Sequence, residues 1–306
     1  MDILDVVIIG SGPAGLSAAV YASRAGIDFA VIESSYVSGG QVLNTYEVDN
    51  YLGMYNMNGF AMGMKFREHA DKLGAKFVTA QAAEIISDGD NKTVKCSDGS
   101  SYTAKNVILA TGATPQKLMV EGEERLKGKG VSYCATCDGN FFKGKVVAVV
   151  GGGDTAIEDA IYLARICEKV YVIHRRDNFR AAGSLVNRLL DMDNVEVLWN
   201  TVVEEICGID KVESVLVKNT QLDMPGELKT DGVFVAIGSS PQSELLKGIA
   251  DMDEKGYVLA GENCMTNVSG ILVAGDVRKK DLRQIITAAA DGANAINSVV
   301  SHLVDK

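Results

Sequence analysis

The stretch VVIIGSGPAG, Val6 to Gly15, decides the fold. Its apolar start is uninterrupted, as expected of a parallel strand buried on both faces. Gly10, Gly12 and Gly15 follow in the spacing G-x-G-x-x-G. LSAAVYASRAG then reads as a helix ending at Gly26, and FAVIE as a second strand ending in Glu33. Together they predict one βαβ unit. Gly10 permits the tight turn, Gly12 lets backbone approach a pyrophosphate, and Gly15 lets helix close on strand. Glu33 is placed to accept hydrogen bonds from ribose hydroxyls. The positive end of the helix faces the pyrophosphate.

The pattern recurs. KVVAVV predicts a strand, Gly151-x-Gly153-x-x-Ala156 the turn, AIEDAIYLARI a helix and KVYVIHRR the next strand. Here the second strand ends in HRRDNFR, with His174, Arg175, Arg176 and Arg180 in place of a carboxylate. A carboxylate would repel a ribose 2′-phosphate, whereas arginines hold one through charge-assisted, bidentate contacts. The first site therefore suits a ribose with free hydroxyls, as in FAD or NAD, and the second suits NADP(H).

NVILATGATP (106–115) and GVFVAIGSSP (232–241) echo each other, each an apolar strand running into a small-residue turn. The chain is expected to cross between domains at these turns. The fold class is thus α/β, with two Rossmann-like nucleotide-binding domains, one inserted into the other. Residues 1–115 and 244–306 are expected to form the first nucleotide-binding domain, for FAD or NAD, and 116–243 the inserted NADPH-binding domain. In the C-terminal part, a strand at Ile271 to Ala274 leads into Gly275-Asp276 and an alanine-rich amphipathic helix. Asp276 could reach a ribitol or ribose chain. Residues 38–54 read as a loop bordering the ligand crevice, and 59–74 as a helix with Met62 and Met64 as core filler. Residues 77–110 read as an antiparallel meander, and 195–219 resemble it.

Composition is that of an ordinary globular protein: 306 residues, 47% hydrophobic and 23% charged. A net charge of −10 disfavours nucleic acid and anionic membrane as partners. No apolar run approaches the ~18 residues of a membrane span, and no signal peptide is expected. The expected location is cytoplasmic.

YCATCDGN (133–140) carries the one close cysteine pair, Cys134 and Cys137, followed by Asp138. Zinc commonly needs a second ligand pair, and the sequence has none; no metal is expected. A structural staple and a redox-active disulfide remain open, and the cytosol favours the second. A Cys-x-x-Cys disulfide is readily reduced, and Asp138 could protonate a leaving thiolate. A disulfide beside two nucleotide sites suggests electrons passing from NADPH through FAD to the sulfurs. Cys96, Cys167, Cys207 and Cys264 read as small buried residues.

In order, GSGPAG, GGQVLNTYEVDNY, ATGATP, CATCDG, GGGDTAIEDA, HRRDNFRA and GILVAGDVRKKDLRQIITAAADGA resemble the bacterial low-molecular-weight thioredoxin reductases over nearly the whole chain. The resemblance implies FAD held by Gly10, Gly12, Gly15, Glu33, Gly40, Gln41, Asn50, Asp276, Arg283 and Gln284. It implies NADPH held by Gly153, Asp154, Thr155, His174, Arg175, Arg176 and Arg180. Thr155 stands where serine is common, which keeps a hydroxyl. Cys134 and Cys137 would be the redox-active disulfide, Cys137 nearer the flavin and Cys134 attacking thioredoxin, with Asp138 as acid–base residue. The family is homodimeric and cytoplasmic. One flavin must meet both the nicotinamide and the cysteines, and Cys134 must reach a protein. This predicts a domain rotation about crossings near Ala113–Gln116 and Pro241–Leu245. The alternatives are a ferredoxin-dependent flavin thioredoxin reductase and a reductase feeding another disulfide carrier, as in a peroxide-reducing system.

Overall fold

A computed structural model describes residues 3–45, 48 and 50–304. Strand β1 (Leu4–Ile9) runs into helix α1 (Pro13–Ala25), which ends on Gly26 in the left-handed conformation that glycine adopts without penalty. Strand β2 (Phe29–Glu33), helix α2 (Gly59–Lys72) and strands β3 (Phe77–Thr79), β4 (Ala82–Asp88), β5 (Asn91–Cys96) and β6 (Ser101–Leu109) follow. The first of two short crossings is β7 (Ala113–Pro115).

Next come β8 (Val131–Ser132), α3 (Ala135–Asp138), β9 (Val146–Gly151), α4 (Asp154–Ala164), β10 (Lys169–Ile173) and α5 (Gly183–Leu190). Then come β11 (Val195–Leu198), β12 (Thr201–Cys207), β13 (Ser214–Asn219), β14 (Met224–Lys229) and β15 (Gly232–Ala236). The second crossing, β16 (Ser239–Pro241), pairs with β7. The chain then returns through β17 (Ile271–Val273) and α6 (Ile285–Val304).

Two compact units result. The first comprises Met1–Asn44, Tyr51–Thr114 and Ser240–Lys306; the second comprises Thr45–Asn50 and Pro115–Ser239. In the first, the sheet order is β3-β2-β1-β6-β5-β4. The carboxyl half of β6 pairs parallel with β1 and β17, and its amino half pairs antiparallel with β5. Val6 and Ile8 enter one core cluster, with α1 and α6, while Val7 and Ile9 enter another on the opposite side. That is why β1 shows no polar alternation. The helices close tightly, because a Cβ at Gly292 of α6 would lie 2.1 Å from the Ala14 carbonyl oxygen of α1.

The second unit repeats the plan with an all-parallel sheet, β11-β10-β9-β15-β8, and a separate antiparallel sheet, β12-β13-β14. Val147 and Val149 pack among the residues of α4, and Ala148 and Val150 among those of β12 and β13. Among the described residues, no helix is long and apolar enough to cross a membrane.

The structure revises several local expectations. The meander is β4-β5-β6 only, because β3 pairs parallel with β2 at the far edge. Likewise β11 joins β10, outside the second meander. The loop after β2 contains a 3₁₀ turn at Gly40–Asn44; its residues 46, 47 and 49 lie outside the described ones. Met62 is fully buried as core filler, but Met64 is 42% exposed, since it lies on the opposite side of α2. Cys96, Cys167 and Cys264 are buried, whereas Cys207 is only partly so.

Candidate active site

The first glycine turn is shaped by backbone contacts that admit no side chain. A Cβ on Gly15 would lie 1.9 Å from the Gly10 carbonyl oxygen, and Gly10 itself takes φ +102°. The loop after β2 folds onto this turn, Gly39 N–H donating to the Ser11 carbonyl at 2.8 Å. Gly40, at φ +59°, is in the left-handed region that favours glycine, and its Cβ would press on Gly12 Cα at 3.1 Å. Glu33 Oε2 accepts from the amide and hydroxyl of Ser11, at 2.8 and 2.7 Å. Ser11 is therefore a site residue that motif reading missed. The N-cap of α1 is Gly12, with no side-chain cap, so the first N–H groups of the helix face outward without a side-chain acceptor. This arrangement fits a dinucleotide pyrophosphate. Gln41 donates its amide to the Ala113 carbonyl. Asn50 is exposed and groups with the second unit.

Beyond the end of β17, Asp276 supplies a second feature that fits a bound dinucleotide. Its Oδ1 is buried without a hydrogen-bond partner, and burial pushes the carboxyl above the usual range despite the charges of Lys280 and Arg283. A ligand hydroxyl there would satisfy it, as the ribityl chain of FAD provides. Arg283 stacks over the Tyr257 ring at 4.0 Å and reaches the Asp276 carbonyl at 3.5 Å. The Gln284 backbone N–H donates to Thr287 Oγ1.

In the second turn Gly153 is the uncapped N-cap of α4. Gly151, at φ +158°, would bring a Cβ within 2.4 Å of the Ala236 carbonyl oxygen. Thr155 lies exposed in the first turn of α4, and the Asp154 carboxylate accepts from Ala182 N–H at 2.8 Å. Arg175, Arg176 and Arg180 are exposed beyond β10, with Arg180 N–H tied to the Gly152 carbonyl at 2.8 Å. His174, expected at the nucleotide, lies beneath the arginine loop. It is buried, its Nε2 donates to the Asn178 carbonyl at 2.8 Å, and a Cβ on Gly152 would lie 2.2 Å from its ring. Burial holds its pKa below the ordinary value, so the ring is neutral at pH 7. With Phe179 and Trp199 against it, His174 supports the arginine loop from beneath.

The cysteines are bonded. Cys134 and Cys137 form a disulfide with Cα atoms 5.3 Å apart, at the start of α3. The turn that follows packs closely on α4, since a Cβ on Gly139 would lie 2.7 Å from the Tyr162 ring. Asp138 is held by Ser132, whose hydroxyl donates to Oδ2 at 2.6 Å and also accepts from Cys134 N–H at 3.1 Å. Oδ1 has no hydrogen-bond partner. Burial raises the carboxyl pKa, with the Ser132 hydrogen bond opposing. Ser132 was not visible as a site residue in the sequence. Tyr133, next to Cys134, donates to Glu123, a buried carboxylate that also receives the amides of Leu118 and Met119. Among the described residues, no cluster of three or more metal-ligating side chains occurs.

The model of the pyridine nucleotide-disulphide oxidoreductase family matches residues 4–292. The chain belongs to that family. It is 45% identical over 305 residues to a thioredoxin reductase of Bacillus subtilis, covering 99% of this chain and 96% of that protein. Its structure is similar to the crystal structure of thioredoxin reductase from Streptococcus pyogenes, with a TM-score of 0.94, 42% identity and 99% of both chains covered. It is also similar to Lactococcus lactis thioredoxin reductase in an FR conformation. There the TM-score is 0.69, the identity 38%, and 99% of this chain and 100% of that one are covered. The disulfide and the two glycine turns place the redox chemistry of this family within the chain's own residues.

Proposed function

We propose that the chain is an NADPH-dependent thioredoxin reductase. The observation that carries this reading is the Cys134–Cys137 disulfide with a buried carboxyl directly after it, in a chain with two glycine-turn nucleotide sites. FAD and NADPH, when bound, supply the two electrons that convert the disulfide to a dithiol.

The chain's own residues then perform an exchange. Cys134 as thiolate attacks one sulfur of the thioredoxin disulfide, forming a mixed disulfide and expelling a thiolate. Asp138, whose pKa burial raises, is the proton donor to that leaving sulfur. Cys137 next attacks Cys134 Sγ, which restores the intramolecular disulfide and frees the second thioredoxin thiol. Two electrons leave the dithiol and two thiols appear on the partner. Ser132 orients Asp138 and the amide of Cys134 together.

The FAD role falls to Gly10, Gly12, Gly15, Glu33, Gly40, Gln41, Asn50, Asp276, Arg283 and Gln284. The NADPH role falls to Gly153, Asp154, Thr155, Arg175, Arg176 and Arg180, with His174 positioning their loop. The intact second turn and its arginines favour NADPH over reduced ferredoxin as donor. We read the units as the FAD and NADPH domains, rotating about the β7 and β16 crossings on the microsecond-to-millisecond scale of hinge motions. The resemblance supports a cytoplasmic homodimer.

The test is NADPH oxidation coupled to a disulfide dye. Turnover that requires oxidised thioredoxin is expected; equal turnover without it, or with ferredoxin alone as donor, would refute the reading. For the rotation, a cross-link joining the two domains should leave flavin reduction or disulfide turnover but not both, and full activity would exclude it.

A further inference from the structure

Asp291 of α6 is buried and collects four hydrogen bonds. Its Oδ1 accepts from Arg278 Nη2 at 2.8 Å; its Oδ2 accepts from Arg278 Nε at 3.2 Å, Lys280 Nζ at 3.0 Å and the Gly275 amide at 2.9 Å. Arg278 is fixed in turn by the Ala260 carbonyl. Lys280 is also almost wholly buried and lies between two acids, because its Nζ stands 3.7 Å from Asp276 Oδ1. That oxygen is the one without a hydrogen-bond partner. Gly292, next to Asp291, seats α6 directly on the first turn of α1.

The electrostatics of this cluster are asymmetric. Burial raises the Asp291 carboxyl, but the hydrogen bond from Arg278 and the charge of Lys280 outweigh it and hold the pKa below the usual range. At Asp276 burial prevails, and the pKa rises. The charged groups facing Asp276 are Lys280, Arg283 and Asp291. Lys280 forms an ion pair with Asp276, and its position is set by Asp291. A lysine already anchored at 3.0 Å on one carboxylate and standing off the other at 3.7 Å leaves the second free to accept from a ligand.

We propose that Lys280, anchored on Asp291, is a positioning residue of the flavin site that aims the Asp276 carboxylate at a ligand hydroxyl. The proposal rests on the reading of Asp276 as a flavin-site residue. Without Lys280, Asp276 retains its proton to higher pH and loses strength as an acceptor. Lys280 itself need not touch the ligand.

The experiment is titration of the apoprotein with FAD, read by quenching of flavin fluorescence across pH, for wild type, K280M, K280R, D276N and the double variant K280M/D276N. Thermal melting of each apoprotein monitors the fold. K280M should weaken FAD about tenfold, with affinity recovering as pH rises, and K280R should bind nearly as wild type. In the D276N background, K280M should have no further effect, because Lys280 acts through that carboxylate. If K280M fails to fold, K280Q makes the same comparison. Wild-type affinity and pH profile in the variant lacking the cation, or an equal loss in the D276N background, would overturn the proposal while leaving FAD binding intact. A wild-type apoprotein that takes up no FAD would instead overturn the flavin reading, and this proposal with it.

Discussion

The Ser132 hydroxyl donates to Asp138 Oδ2 at 2.6 Å, directly beside the disulfide. One serine thereby links the carboxyl expected to carry the proton with the amide of the cysteine expected to attack. Burial keeps the carboxyl neutral to a higher pH than usual, and the hydroxyl limits that rise by stabilising the charged form.

Asp138→Asn should therefore slow thioredoxin reduction by roughly 10²–10⁴-fold, the ordinary yield of positioned proton transfer, and leave flavin reduction by NADPH near wild type. Ser132→Ala removes the lowering hydrogen bond, so the titration of Asp138 should move to higher pH. Ser132→Thr keeps the hydroxyl and should restore the original profile. Rapid-reaction rates measured against pH separate these outcomes; an Asn variant with wild-type thioredoxin reduction would remove Asp138 from the mechanism.

Gly15→Ala should yield protein unable to retain FAD. The added methyl meets the Gly10 carbonyl oxygen at 1.9 Å, and both partners are backbone held between β1 and α1. Relief requires separating helix from strand, at the upper end of the ~1–3 kcal/mol typical of overpacking or beyond. The visible spectrum of the purified variant checks this directly, and a fully flavinylated G15A would contradict the cradle as described.

Reversing the charge of Arg175 and Arg180 should raise KM for NADPH by about 10–100-fold, the worth of one to two charge-assisted hydrogen bonds. Kinetics with NADH should be almost untouched, since these side chains are exposed and their proposed role is to meet the 2′-phosphate alone. His174→Ala should weaken both nucleotides together, because it loosens the loop and the Gly152 turn beneath it. A parallel loss for NADPH and NADH in the arginine variants would reassign them to structure.

Local signals carried the sequence reading far. The apolar run at Val6 to Ile9, the glycine spacings and Gly26 each act within one strand–turn–helix, so their physics is written in neighbouring residues. The Cys-x-x-Cys pair is equally local. Long-range placement was hidden. Nothing in Phe77 to Thr79 says that the strand will pair parallel with β2 rather than enter the meander. His174 reads as a nucleotide-site residue in the company of three arginines, and its packing against Gly152, Phe179 and Trp199 is visible only in the fold. Ser132 looks like an ordinary strand residue until α3 folds Asp138 back onto it. The Asp291–Lys280–Asp276 cluster joins a helix to a strand end, and charged residues in an alanine-rich amphipathic segment ordinarily suggest solvent.

The central claim is that electrons from NADPH arrive at the Cys134–Cys137 disulfide and leave through it. It is tested most directly by adding one equivalent of NADPH anaerobically to the purified holoprotein, alkylating, and locating the label by peptide mass. The account predicts label on Cys134 and Cys137 together, lost when oxidised thioredoxin is added before alkylation. Consumption of NADPH with the two cysteines still joined, or a labelled pair that thioredoxin cannot discharge, would contradict it.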